Sequence, residues 1–317
     1  MGRSILITGA LGYSGQALAE RLLARGDHVR TITNSPDRPN RFGSAIEIHP
    51  FAFDDGAALR RSFGGIDTFI NTYWVRFNHK LFTFAQAISN TKRLFAAARD
   101  AGVRRIVHVS ILKPEQGRGL AYYDGKLELE HALRDLGVAH SIVRPGVLFG
   151  RGDILINNIA WMLRHLPVFG TFGDGEYKLQ PMHVDDFAEL ILRCADAPNT
   201  RTADAVGPET FAFRDLVRTI AGIIGVRRPI VSVPAGLGYA ISRLLNPLVG
   251  DVIITREEID GLRRNLLYSD HDVVGKTRLT DWAARCRDSL GVRYASEVGR
   301  RIHRSTGYLE SRHPSAT

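Results

Sequence analysis

The chain is 317 residues long, enough for one large α/β domain or for a nucleotide-sized domain with a smaller companion, and two joined parts are expected. Its 44% hydrophobic and 24% charged residues are those of an ordinary folded protein, which excludes a chain disordered throughout. The formal net charge of +9 favours acidic ligands, but Arg and Lys are scattered with no run interleaved with aromatics, so nucleic acid is not the expected partner.

Taken in chain order, Ser4 to Thr8 is a short apolar run that ends in glycines, and Leu18, Leu22 and Leu23 follow at helical spacing, so the opening reads strand, turn, helix. Further strands are expected at His28 to Thr33, Ile46 to Phe51 and, after the Gly64-Gly65 turn, Thr68 to Thr72. A helix rich in Ala and Leu runs from Phe84 to Asp100 with Gly102 as its stop, and the buried run Ile106 to Ser110 comes next. A helix from Tyr122 to Leu136 and a strand from His140 to Pro145 continue the alternation. Apolar strands alternating with helices call for a parallel sheet covered on both faces, a doubly wound α/β fold. Past Gly150 the pattern turns irregular, returns to the sheet near His183-Val184, and ends helix-rich from Phe213 to Arg304.

The two cysteines, Cys194 and Cys286, lack metal-ligand neighbours, which argues against a disulfide framework or a zinc site and suits a reducing cytoplasm. No charged-then-apolar leader pattern opens the chain, so a cytoplasmic location is expected. The most apolar stretch, Ile230 to Ile254, is interrupted by Pro234, Gly236, Gly238, Arg243, Asn246, Pro247 and Gly250. It is too broken to span a membrane, which leaves peripheral membrane contact, an apolar ligand pocket or a packing surface as its uses.

Thr8-Gly9-Ala10-Leu11-Gly12-Tyr13-Ser14-Gly15 places three glycines at GxxGxxG spacing between a strand and a helix. The first allows a tight turn, the second lets a pyrophosphate approach the backbone, and the third allows close packing of helix on strand. This is the dinucleotide turn of a Rossmann sheet, with Thr8, Leu11 and Tyr13 around it. An NAD site usually carries an acid about 20 residues further on. Here the second strand ends in Thr33-Asn34-Ser35, with Arg38 and Arg41 beyond and no acid before Asp37, which tilts the cofactor toward NADP, with NAD as the other choice.

Tyr122 and Lys126 are four apart, so on a helix they share a face, and an ammonium beside a phenol lowers the phenol pKa from about 10. That suits a proton donor, against the plainer reading of packing residues at a helix entry. His108 reads as a packed histidine in a strand, and His183 as structural, with Asp185 or Asp186 capping a helix that begins near Phe187. Trp161, Met162, Leu163 and Leu166 could wall a pocket or fill a core, and Arg151, Gly152 and Asp153 read as loop.

The ordered set TGxxGxxG, Ser110, Tyr122 with Lys126, Arg144-Pro145 and His183-Val184-Asp185-Asp186 resembles the extended and atypical short-chain dehydrogenase/reductases. More narrowly it is similar to their epimerase/dehydratase-like branch, related to the nucleotide-binding accessory subunit of respiratory complex I. Asn71 to Phe77 is also like that branch, and the likeness covers 1–206 well and the remainder loosely. The resemblance implies an oxidoreductase or epimerase-like enzyme acting on a small-molecule carbonyl or alcohol, with a non-catalytic dinucleotide-binding regulator or accessory subunit as the alternative. It implies that Gly9, Gly12 and Gly15 hold the pyrophosphate and that Asn71 and Thr72 lie beside the cofactor, while the residues themselves put Asn34, Ser35 and either Arg38 or Arg41 at the 2′-phosphate of the ribose. The backbone after Pro145 would approach the nicotinamide, Tyr122 would be the acid/base, and Lys126 its partner. Two departures stand out. Ala52 occupies the place of an adenine-binding Asp, so either Asp54 substitutes or the contact is absent, and Ser110-Ile111-Leu112 leaves only Ser110 to orient a carbonyl. A Rossmann domain over 1–151 and 178–206, a helix-rich capping region over 152–177 and 207–309, and a loose tail over 310–317 are expected.

Overall fold

A computed structural model describes residues 2–302, so the expected tail at 310–317 lies outside the described residues. The first elements are β1 (Ser4–Thr8), α1 (Tyr13–Ala24), β2 (His28–Thr33), β3 (Ile46–Pro50), α2 (Gly56–Ser62), β4 (Thr68–Asn71), α3 (Phe84–Asp100), β5 (Arg105–Val109), α4 (Ala121–Arg134) and β6 (Ala139–Pro145). They are followed by β7 (Leu148–Phe149), α5 (Leu155–His165), β8 (Phe169–Phe172), β9 (Lys178–Leu179), β10 (Met182–His183), α6 (Val184–Asp196) and β11 (Arg201–Ala205). The remainder is β12 (Phe211–Ala212), α7 (Phe213–Ile223), β13 (Ile230–Val233), α8 (Ala235–Val249), α9 (Arg256–Arg263), α10 (Leu279–Arg285) and α11 (Glu297–Ile302). Two compact units result, one running to Pro145 and taking in Phe187–Ala205, the other made of Gly146–Asp186 and the chain from Val206 on.

The first unit is a seven-stranded sheet in the order β11-β6-β5-β4-β1-β2-β3, with every pairing parallel. Ile5, Leu6 and Ile7 of β1 are all fully buried because helices cover both faces, which is why this strand reads as a continuous apolar run without alternation. Helix α3 starts at a capping box in which Thr83 Oγ1 accepts from Gln86 N (3.2 Å) and Gln86 Oε1 accepts from Thr83 N (3.1 Å). From there it lays Leu94, Phe95 and Ala98 on the sheet in one core with Leu6, Phe63, Phe69 and Ile106. Each such Leu or Phe contributes about 1.5–3 kcal/mol of burial. The strand order reverses between β1 and β4, and a crevice at the carboxyl ends of those strands is where an open α/β sheet takes its ligand.

The second unit has its own core, in which α5 (Ile156, Ile159, Leu163), α7 (Phe213, Leu216, Ile220) and α10 (Leu279, Trp282) pack together. Short ladders β7 with β10, β8 with β13 and β9 with β12 complete it. The expected return to the main sheet near His183-Val184 is corrected here: β10 pairs with β7, and the strand that joins the sheet is β11 beside β6. Residues 146–151 and 178–186 consequently cluster with the second unit, not with the first. Part of the apolar stretch from Ile230 stays open, with Leu237, Ile241 and Leu244 of α8 exposed. No described helix is long and apolar enough to cross a membrane.

Candidate active site

The glycine turn is built by close backbone contact. Gly9 has a φ of +71°, and its carbonyl accepts from Gly12 N at 2.8 Å. A Cβ on Gly15 would lie 2.0 Å from Gly9 O and 2.8 Å from Ala10 Cα, so no larger residue fits there without moving the turn. Thr31 of β2 fastens the turn from the side, its Oγ1 donating to Ile7 O (2.8 Å) and accepting from Ala10 N (3.0 Å). Sequence reading missed Thr31, whose only signal was a hydroxyl inside an apolar strand. Gln16 Nε2 donates to Leu11 O at 3.0 Å, and Leu11 itself is buried. Helix α1, which Tyr13 opens, has no side-chain cap and no acid in its first turn, so its N-terminal amides and dipole suit an anion. A cradle that a Cβ would fill, at an uncapped helix start, fits a dinucleotide pyrophosphate.

Thr8 and Asn71 end the two strands that flank the reversal. Thr8 Oγ1 donates to Asn71 Oδ1 (2.9 Å) and accepts from the amides of Thr72 (2.8 Å) and Tyr73 (3.1 Å), while Thr72 Oγ1 donates to Thr8 O. With Oδ1 an acceptor, the Asn71 amide nitrogen donates to His108 Nδ1 at 3.0 Å, which puts the His108 proton on Nε2. Burial, and secondarily the charge of Lys126, hold His108 well below the usual histidine range, so it is a neutral packed residue against Phe95. Asn71 thereby ties β4 to β1 and β5.

At the end of β2, Asn34 is exposed while Ser35 and Arg38 are buried, and Ser35 N donates to Thr33 Oγ1 at 3.1 Å. Arg41 is an exposed partner of Glu20 at 2.6 Å, whereas Arg38 is buried and its N donates to Ser35 O at 3.2 Å. Asp54 projects fully into solvent, with Arg93 at 3.8 Å, and Phe51, Phe53 and Tyr73 form an aromatic cluster beside it (ring centroids 4.6–5.7 Å).

Ser110 follows β5 and is 2% exposed, its Oγ without a hydrogen-bond partner among the described residues. Lys126, on α4, is also 2% exposed: its Nζ donates to Val109 O at 2.7 Å and lies over the Trp74 ring, 4.4 Å from the centroid. Burial pulls its pKa down to about 7, opposed by Glu130. Tyr122, one turn earlier, packs edge to face on Trp74 (5.6 Å) and Phe84 (5.8 Å). Leu112, where a second hydroxyl would help, is fully buried, and its N donates to Pro145 O at 3.1 Å. Arg144 ties β6 to α4: it donates from Nε (2.8 Å) and Nη2 (2.6 Å) to the buried carboxylate of Glu130, which also accepts from Arg134 (2.8 Å). The i,i+4 pair Glu130–Arg134 has a sequence spacing, but its link to Arg144 does not, because that residue comes from a separate strand.

The remaining candidates lie in the second unit and are structural there. Helix α6 begins at Val184, ahead of Asp185 and Asp186, so the expected cap near Phe187 is corrected. Instead, His183 Nδ1 accepts from Asp185 N (3.2 Å), and Asp186 Oδ2 accepts from the amides of Lys276 and Thr277 (2.7 Å each). Asp153 is buried, and its Oδ1 accepts from Ile156 N (2.8 Å) and Asn157 N (3.1 Å) at the start of α5. Arg300 bonds Gly152 O beside it. Leu163 is core, Met162 packs on that core, and Trp161 stacks on His165 (4.7 Å).

Residues 9–159 match a family described as NAD(P)H-binding. The chain is 26% identical over 292 residues, 88% of its length and 96% of the relative's, to a (4-alkanoyl-5-oxo-2,5-dihydrofuran-3-yl)methyl phosphate reductase of Streptomyces griseus. It is 22% identical, over 84% of this chain and 71% of the relative, to the mitochondrial NADH dehydrogenase [ubiquinone] 1 alpha subcomplex subunit 9 of Arabidopsis thaliana. In fold it is similar to an NADPH-dependent quinone oxidoreductase of Escherichia coli solved with NADPH, with a TM-score of 0.73 at 18% identity over 90% of this chain and 99% of that one.

Proposed function

We propose, from the premise that residues 9–159 are an NAD(P)H-binding domain, that this chain is an oxidoreductase working by the short-chain dehydrogenase/reductase mechanism on a largely apolar carbonyl or alcohol. The observation that carries the reading is the nearly inaccessible Lys126 one helical turn after Tyr122, against the backbone that leads into Ser110. A buried ammonium beside a phenol favours the phenolate, so Tyr122 can give a proton to a carbonyl oxygen or take one from an alcohol near neutral pH. The Ser110 hydroxyl, buried without a partner among the described residues, is suited to orient that oxygen. Bound nicotinamide supplies or accepts the hydride. Trp74, Phe84 and Tyr122 give the vicinity an aromatic wall, which favours an apolar substrate over a sugar nucleotide. The turn Gly9 to Gly15 with Leu11 and Tyr13 would hold the pyrophosphate, and Asn34, Ser35 and Arg38 the 2′-phosphate of NADP(H), the preferred cofactor. Thr72 and the backbone at Pro145 would flank the nicotinamide end, and Asp54 would be at most a peripheral adenine contact.

The test is a screen of ketones, enones and quinones for substrate-dependent change in nicotinamide absorbance, followed by Tyr122→Phe. That variant is expected to lower turnover about 10²–10⁴-fold while leaving dinucleotide affinity nearly unchanged. Full activity in Tyr122→Phe would overturn the mechanism. A second reading, a non-catalytic dinucleotide-binding regulator or accessory subunit, is favoured by the buried Leu112 that leaves Ser110 alone and by the likeness to a respiratory-complex subunit. Tight dinucleotide binding with no turnover of any substrate would make it the better one.

A further inference from the structure

We propose that Trp74 is a positioning residue of this site, its indole face holding the Lys126 ammonium and its edge contact with Tyr122 fixing the phenol ring relative to that ammonium. The inference deepens the oxidoreductase reading and rests on it for the roles of Tyr122 and Lys126.

Four observations converge on the indole. Lys126 Nζ lies 4.4 Å from its ring centroid, within the range of a cation–π contact. Tyr122 meets it edge to face at 5.6 Å, with planes 84° apart. Phe84, at the start of α3, stacks on it at 5.9 Å and fixes its tilt. On α4, a Cβ at position 125 would come 3.0 Å from both Trp74 Cη2 and Ile88 Cδ1, so Gly125 leaves room for the indole and for Ile88 between Tyr122 and Lys126.

The electrostatics say why the contact matters. Lys126 has lost nearly all its water, and its hydrogen-bond acceptor is the Val109 carbonyl. On β5, His108 is held neutral, and the Tyr122 phenol lies on α4 one turn before Lys126. Glu130, also on α4, is the nearest carboxylate acting on it, but both its oxygens are occupied by Arg134 and Arg144. With that carboxylate shared by two guanidinium groups, the negative face of the indole is a second side-chain group that favours the charged lysine. Its removal lowers the Lys126 pKa further from about 7 and releases the Tyr122 ring.

The experiment is an NMR titration of the full chain labelled with 13Cε lysine, the Lys126 signal being identified by its absence in Lys126→Met. In the wild type, Lys126 is expected to titrate near pH 7. In Trp74→Leu its midpoint moves down by on the order of one pH unit, and in Trp74→Phe by a smaller amount, since a benzene face binds a cation more weakly than an indole. Trp161→Phe, outside the site, leaves it unchanged. Should Trp74→Leu fail to fold, Trp74→Phe alone decides. An unmoved Lys126 midpoint in a folded Trp74 variant overturns the proposal. Because this readout needs no substrate, it stands if the enzyme reading fails. Conversely, if a substrate turns over, Trp74→Phe should shift the pH profile of kcat/KM in the same direction, and an unshifted profile beside a large Tyr122→Phe defect would reject Trp74 while keeping the mechanism.

Discussion

The proposed cofactor site turns on two single residues, Gly15 and Arg38. A Cβ on Gly15 collides with backbone at 2.0 Å, whereas one on Gly12 meets Gly9 O at 3.2 Å, so the two glycines are not equivalent. Gly15→Ala is expected to weaken both NAD(H) and NADP(H) by more than about tenfold, with Gly12→Ala milder, as measured by calorimetric titration. Equal effects would mean that the turn is softer than its geometry implies. Arg38 and Arg41 looked alike in the sequence, but Arg41 is half exposed beside Glu20 while Arg38 is buried next to Ser35, its N donating to Ser35 O at 3.2 Å. Arg38→Ala should therefore reduce NADP(H) affinity about tenfold or more with little change for NAD(H), and Arg41→Ala should do neither. A wild type that prefers NAD(H) would defeat this.

Between elements, the joint of α4 and β6 rests on Glu130. Its fully buried carboxylate is shared by Arg134 and Arg144, and Arg144 also reaches the half-exposed Glu115 at 2.6 Å. These carboxylates hold the Arg144 guanidinium well above its ordinary pKa, although burial works against it. Removing one partner of a buried ion pair strands the other, so Glu130→Gln should cost about 3 kcal/mol in denaturant unfolding. Glu115→Gln, at the solvent edge, should cost less than about 1 kcal/mol. Comparable losses would show that the cluster is not organised around Glu130. Because α4 also carries Tyr122 and Lys126, Glu130→Gln is expected to reduce turnover as well as stability. The helix itself was legible from its apolar spacing, but this anchor was not, since a Glu on a helix and an Arg in a strand have no register in the sequence.

For the molecule as a whole, two buried groups set opposite pH trends. Asp153 has its pKa raised to about 6 by burial, despite accepting two α5 amides. A folded pKa above the unfolded one means that its stabilising contribution is complete below about pH 4 and is lost as pH rises through about 6. Asp153→Asn should thus gain on the wild type by about 2 kcal/mol between pH 4 and 7 in denaturant unfolding, and a constant difference would refute the assignment. Lys126 runs the other way. Its depressed pKa means that folding is penalised below about 7 and the penalty fades toward pH 10, so Lys126→Met should be more stable than wild type at pH 6, with the gap closing as pH rises. The sequence by itself determined the order of β1 to β6 with α1, α3 and α4, though not α2, and also the glycine turn and the Tyr122–Lys126 spacing. Burial on both sheet faces, helical period and backbone crowding are all written in consecutive residues. Only the tertiary structure decided that β11, a polar edge strand, completes the sheet, that β10 pairs with β7, and that Trp74 covers Lys126. Those depend on which distant residues meet, and a pattern along one chain fixes which face is buried but not what lies against it.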